Sequence, residues 1–246
     1  MSSLMHADGR PLAEFPAEMN EQNHYTSGNV LLRQLPANED AMIGRAAQNV
    51  TLRQNERLIE KDKPMAHVYF LDQGWASVIS MGGVRPVEVA MVGSEGLVGI
   101  SVILGADHAV NNCIMQTVGS GLRIAASEFQ SILSQMPVLR RRIHLHVHDR
   151  LLQSYEAIVA STVGSLEARV SRAILMCHDR SQSDNIAITQ EQLARKVGAN
   201  RAGVTTALHV LEGHKIIQSK RRCVLVLDRS RLENAAAGTY ARATAE

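Results

Sequence analysis

Arg201 follows a glycine and an asparagine in the run Gly198-Ala199-Asn200-Arg201-Ala202-Gly203-Val204-Thr205-Thr206. A guanidinium near a helix start can donate to guanine O6 and N7 together, the commonest specific contact to a base edge. Asn200, Thr205 and Thr206 share the first turns with it, and threonine suits a thymine methyl group or a phosphate. Between Thr189 and Arg222 the basic residues are Arg195, Lys196, Arg201, Lys215, Lys220, Arg221 and Arg222, set against only Glu191 and Glu212. The whole chain of 246 residues carries a formal charge of only +2, so positive charge is concentrated here. Such a cluster suits a phosphate backbone.

The elements that must position these groups are two short helices. Thr189 is expected to cap the first, and Leu193, Ala194 and Val197 give it an apolar stripe. Gly198 stands where that helix must end in a left-handed residue. Asn200 is expected to cap the second helix, with Val204, Leu208 and Leu211 facing inward. A helix pair with this turn reads as a helix-turn-helix, whose second helix enters the major groove of DNA. Thr189, Gln190 and Gly203 are candidate phosphate contacts, the first two through free amides at their helix start. Ile216-Ile217-Gln218 and Cys223 to Leu227 alternate, which makes Lys220, Arg221 and Arg222 a basic wing between strands.

Upstream the pattern changes. Residues 1–24 read as a loose arm, and 29–35 and 38–47 as short helices broken at Pro36. From Val50 to Ala126 the period is two, as in His67 to Leu71, Trp75 to Ile79, Val87 to Met91 and Cys113 to Val118. Gly82-Gly83 signals a hairpin, and Gly119 to Gly121 a turn. Many short strands with glycine turns predict an antiparallel roll. Ser127 is expected to cap a helix containing Phe129, Ile132 and Leu133. Pro137 then opens a long helix with Leu139, Ile143, Leu151, Tyr155, Ile158 and Val159 at helical spacing. A helix so long needs a partner for its stripe, either the roll or the same helix of a second chain. Val163-Gly164-Ser165 reads as a hinge, Leu166 to Asp179 as a helix, and Arg229 to Ala237 as the last one, with a mobile tail beyond Gly238. The expected fold is α+β. An N-terminal antiparallel β-roll of jelly-roll or double-stranded β-helix type precedes a long dimerisation helix and a C-terminal winged helix-turn-helix. The expected division is arm 1–24, sensor roll 25–136, long helix and hinge 137–163, winged helix-turn-helix 164–238 and tail 239–246.

This order, with "ITQEQLARKVGANRAGVTTALHVLEGHKII" as its strongest segment and "HVYFLDQGWASVIS" and "VEVAMVGSEGLVG" in the roll, resembles the Crp/Fnr family of bacterial transcription regulators. The resemblance covers about residues 28–238. It implies a homodimer held through Leu151, Tyr155, Ile158 and Val159, with each recognition helix entering successive major grooves of a near-palindromic operator; the polar N-terminus, without a signal-peptide core, separately predicts a cytoplasmic protein. Arg201 matches the family's first recognition arginine. Ala202 and Thr206 stand where readers of the best-known half-site carry a glutamate and a second arginine, so that half-site is not implied.

Gly93 to Gly99 matches the turn that opens the phosphate cassette of cyclic-nucleotide-binding relatives. The cassette needs a glutamate for the ribose hydroxyl and an arginine for the phosphate. Here those positions hold Leu97 and Asn111, with Glu95 and Asn112 beside them, a degenerate effector pocket in which Glu95 takes the glutamate's place only if the register slips. Neither Arg nor Lys occurs between Gly99 and Leu122. A buried phosphate without a cation is strongly disfavoured, so cyclic AMP is not expected to bind in the family's usual way.

Other chemistries find less support. Cys113, Cys177 and Cys223 are far apart and read as free thiols, with no metal pair among them and no N-terminal cluster for iron–sulfur sensing. His144 and His148 share a helix face, a weak candidate for metal or haem. No nucleophile–base arrangement stands out, so an enzyme is not expected, nor is a cofactor, a metal site, a signal peptide or a membrane span. The implied partners are double-stranded DNA, a second copy of the chain, RNA polymerase and an unidentified small-molecule effector. The alternative function is a haem- or small-molecule-binding sensor acting through protein contacts.

Overall fold

The computed structural model describes residues 27–83, 85–181 and 183–240, so the 1–24 arm lies outside the described residues. Elements are numbered in chain order. Two four-stranded sheets form a roll. One has the order β1 (Gln48–Leu52), β8 (Gly119–Ala125), β3 (His67–Gln73), β6 (Leu97–Val98). The other has the order β2 (Arg57–Ile59), β7 (Asn112–Met115), β4 (Ala76–Ser80), β5 (Val87–Val92). Every pairing is antiparallel. Strand β3 is buried on both faces. Val68 and Phe70 pack with the helices, whereas Tyr69 and Leu71 pack between the sheets.

The glycines from Gly119 to Gly121 do not form the expected turn; they open β8. A Cβ on Gly121 would run into the Phe70 carbonyl oxygen, and one on Gly119 into that of Gln73. Close approach of β3, not reversal of the chain, requires glycine here. Residues 29–35 form turns rather than a helix. Asn29 is fully buried and diverts the backbone. Its amide donates to the Leu71 and Gly96 carbonyls at 3.0 and 2.7 Å, and its Oδ1 accepts from Leu31 N–H at 3.0 Å. After Pro36 comes α1 (Ala37–Ala46). A short α2 (Ile100–Ile103) follows β6. Ser127 does not cap α3 (Ala126–Leu133) but lies inside it, and Ala125 occupies the cap position without a side-chain bond.

Helix α4 (Pro137–Val163) starts with proline at its first turn. Its free amides are met by a neighbouring helix: the Glu39 carboxylate of α1 accepts from Val138 and Leu139 N–H at 2.9 and 2.8 Å. Leu139 and Ile143 are buried under the roll, but Leu151, Tyr155, Ile158 and Val159 are exposed on the single chain. Gly164 ends the helix in an extended conformation, and Ser165 Oγ caps α5 (Leu166–Arg180) by accepting from Ala168 N–H.

The C-terminal unit adds β9 (Asn185–Ile186), α6 (Gln190–Val197), α7 (Arg201–Gly213), β10 (Ile217–Lys220), β11 (Cys223–Val226) and α8 (Arg229–Ala235). β9 was not expected and completes a three-stranded sheet with the wing hairpin. The residues expected inside α5, α6 and α7 are buried together, joined by Trp75 and Met91 from the roll. The chain beyond Gly238 is not loose as far as Tyr240: its hydroxyl donates to Asp179 at 2.5 Å and accepts from Arg229 at 2.8 Å.

Two glycines should respond oppositely to a methyl group. Gly121→Ala is expected to lower stability by about 1–3 kcal/mol through overpacking. Gly213→Ala, whose Cβ would meet nothing within 4 Å, should raise it by about 0.4–1 kcal/mol. Urea denaturation of the two variants checks both signs.

Candidate nucleic-acid interface

The helix pair is held by local chemistry. Thr189 Oγ1 accepts from Gln192 N–H at 3.1 Å while Gln192 Oε1 accepts from Thr189 N–H at 2.7 Å, a capping box. Gly198 ends α6 at φ 62°. Asn200 Oδ1 accepts from Gly203 N–H at 2.7 Å and so caps α7. A Cβ on Gly203 would lie 2.9 Å from Leu166 Cδ2, so glycine lets α7 approach the start of α5.

The outer face of α7 presents Arg201, Ala202, Thr206, His209 and Val210 to solvent. Gln190 of α6 braces this face: its Oε1 lies 3.4 Å from Arg201 Nε and accepts from the Thr205 hydroxyl at 3.0 Å. The Thr206 hydroxyl donates back to the Ala202 carbonyl at 3.2 Å. His209 and Val210 were not singled out from the sequence, although they continue the four-residue spacing of 201, 205 and 206. On the wing Lys220, Arg221 and Arg222 are exposed, and Arg222 holds a left-handed φ of 62°.

Lys196 does not belong to this basic surface. Its Nζ donates to both Glu88 oxygens at 2.6 and 2.7 Å, and the two side chains are 5% and 10% exposed. The Ser77 hydroxyl also donates to Glu88. Helix α6 is thereby docked on β5 of the roll. Gln192 Nε2 adds a bond to Gln116 Oε1 at 3.1 Å, and Arg85 donates to the Gly198 and Ala199 carbonyls at the turn.

The residues at the expected effector pocket turn to different partners. Glu95 accepts from Arg180 Nε and Nη2 at 2.8 and 2.5 Å and from Gly93 N–H at 3.2 Å. Burial raises its carboxyl, but the Arg180 guanidinium outweighs this and holds it below the usual range. Leu97 lies in the core facing the helices. Asn112 Oδ1 accepts from Lys61 N–H at 2.9 Å, and Asn111 precedes it in a bend before β7. Burial pushes the Cys113 thiol up to about 12, so it stays neutral. Among the described residues the cysteines are free, and no group of three potential ligands could hold a metal ion.

A two-sheet roll, a long helix and a winged helix-turn-helix with an exposed basic face define a DNA-binding transcription regulator. Residues 49–136 match the cyclic nucleotide-binding domain family and residues 168–235 the Crp-like helix-turn-helix domain family. With these two domains in this order, the chain belongs to the Crp/Fnr family. No curated protein matches it. Among solved structures it is similar to FixK2 of Bradyrhizobium japonicum, at 17% identity and a TM-score of 0.67 over 80% of this chain and 99% of that one. It is also similar to the c-di-GMP-responsive global regulator CLP of Xanthomonas campestris, at 16% and 0.64 over 78% and 99%. A CRP-family transcriptional regulator of Thermus thermophilus aligns at 17% and 0.65 over 77% and 97%. At these identities the likeness fixes the fold. No helix among the described residues is long and apolar enough to cross a membrane.

Of the three α4 histidines, His144 and His148 are exposed and His146 is buried. The His146 ring fills the space over Gly96, and its Nε2 has no hydrogen-bond partner. Burial pushes its imidazole down from 6.5 to about 4, so it is neutral in the fold. The unfolded chain therefore binds more protons than the fold between those two values. Stability from this group is full above pH 6.5 and falls as the pH drops towards about 4. The loss reaches up to about 1.4 kcal/mol per pH unit. His146→Gln should flatten that slope, measured by denaturation midpoints across the window.

Proposed function

We propose that the chain regulates transcription as a homodimer that reads a near-palindromic operator. Its roll (25–136) would receive the signal, the long helix (137–163) would pair with its copy, and the winged unit (164–238) would bind DNA. The observation that carries this reading is the solvent-facing start of α7, with Arg201 at its first position. Base reading falls to Arg201, Thr205 and Thr206. Asn200, whose side-chain oxygen is spent on the cap, positions the helix start. Thr189, Gln190, Gly203 and the wing cations Lys220, Arg221 and Arg222 face phosphates. Nothing in this role needs Lys196, which is neutralised by Glu88.

Leu151, Tyr155, Ile158 and Val159 support the dimer. They stand exposed on one side of the same helix, and apolar area of this kind is stabilised when removed from water. The effector is something other than cyclic AMP held in the family's usual manner. Glu95 is taken by Arg180, and the cassette segment from 100 to 121 contains no cation. A buried cyclic phosphate there would lack a counter-charge.

Selection of bound sequences from a random DNA pool should return a two-fold-related site. On that site Arg201→Ala is expected to cost about 1–3 kcal/mol per half-site and to relax one base position in each half. Replacing Lys220, Arg221 and Arg222 together with alanine should weaken all sequences alike and reduce the salt slope of dimer binding by roughly 5, three cations being lost from each protomer. A pool that returns no enriched sequence defeats the reading.

Tyr155→Arg with Val159→Arg should give a monomer by light scattering. That monomer should keep weak half-site binding and lose the tight two-fold site.

A further inference from the structure

A cleft of about 500 Å³ lies where β5, α4, α5 and α6 meet, between the roll and the helix pair. Three arginines line it, Arg150, Arg169 and Arg172, together with the apolar residues Ala90, Ala157, Ile158 and Met176. Lys196 and Glu88 are also in its wall but neutralise each other.

The guanidiniums are served mainly by backbone oxygens. Arg150 donates to the Met91 carbonyl at 2.5 Å and to Gln153 Oε1 at 3.3 Å. Arg169 donates to the Val197 carbonyl at 3.2 Å, and its Nε is buried with no partner. Arg172 donates to the Thr239 carbonyl at 2.8 Å and reaches a carboxylate, Glu156, only at 4.0 Å. Burial lowers the pKa of both Arg150 and Arg172, as expected for cations short of counter-charge. A buried charged donor left without an acceptor is costly, and an anionic acceptor satisfies it best.

The cleft borders the exposed stripe on α4 and shares Ile158 with it. Arg150, Ser154, Ala157 and Ser161 are spaced four, three and four residues apart and share one helix face. Tyr155 and Val159 fall on the opposite face at 3.6 residues per turn. A second copy packed along this stripe would meet the cleft at Ile158 and leave the face of Arg150, Ser154, Ala157 and Ser161 open.

We infer that this cleft binds a small organic acid, its anionic head among Arg150, Arg169 and Arg172 and its compact apolar body against Ala90, Ala157 and Met176. The site does not involve the roll residues Glu95, Leu97, Asn111 and Asn112, and it does not depend on the DNA-reading assignment. Four elements from both halves of the chain meet in its wall, so an occupant would bridge the roll to the helix pair.

The test compares two probes of one shape. 8-Anilinonaphthalene-1-sulfonate carries an acidic head, and N-phenyl-1-naphthylamine is its uncharged counterpart. Fluorescence titration of the full chain should give saturable binding of the sulfonate at least roughly tenfold tighter than that of the amine. Arg169→Gln with Arg172→Gln should abolish that preference. Ala157→Trp, which fills the cleft and leaves every guanidinium in place, should remove sulfonate binding, with circular dichroism confirming the fold. Equal binding of the two probes by the parent protein overturns the proposal and needs no variant. Undiminished sulfonate binding by the Ala157→Trp chain overturns it independently.

Discussion

The placement of the reading helix rests on two charges buried together. Removing an ammonium and a carboxylate from water costs several kcal/mol per ion, recovered only when the geometry is close and the remaining lone pairs are filled. Lys196 reaches both oxygens of Glu88, and Ser77 supplies a further hydrogen bond. Helix α6 therefore cannot slide along β5 without exposing one charge to an apolar wall. Helix α7 is bound to α6 through the Gly198 turn and a shared core of Leu193, Val197, Val204 and Leu208. The position of Arg201 relative to the roll is thus decided some distance from Arg201 itself. The second tie, Arg180 to Glu95, acts at the glycine turn of the roll and restrains α5 in the same way.

Much of the architecture was legible because local and global signals agreed. Pro137 and Gly164 bracket α4, and the Thr189–Gln192 box and Gly198 bracket α6, as the residue types require. The failures share a physical origin. Gly119 and Gly121 carry the same signal whether the chain turns or another backbone passes close by, and only the β3 neighbour distinguishes the two. Residues 29–35 have helical spacing, but the fully buried Asn29 amide bonds across to β3 and to Gly96, which no local pattern reveals. For the interface, helix periodicity separates the inward residues of α7 from Arg201 and Thr206. It cannot tell that Lys196 turns inward, because its partner is 108 residues away. The pairing of Glu95 with Arg180 was hidden for the same reason, across a separation of 85.

Helix α4 is anchored unequally along its length. Its N-terminal half is pinned by the Glu39 carboxylate, by Leu139 and Ile143, and by Arg142 bonded to the Leu31 and Gln34 carbonyls. Its C-terminal half touches the rest of the chain on one side only and ends at an extended glycine. Stiffness at one end and exposure at the other are what the proposed pairing of two such helices would use.

Trp75 is the chain's one tryptophan, and it sits in the roll while packing into the core of the helix pair, its indole N–H buried and unpartnered. Its surroundings are dry only while the two halves stay closed on one another. Intrinsic emission from this protein is therefore a single-site optical gauge of that closure. It needs no label, and water reaching the ring would register as a red shift before any helix unfolds.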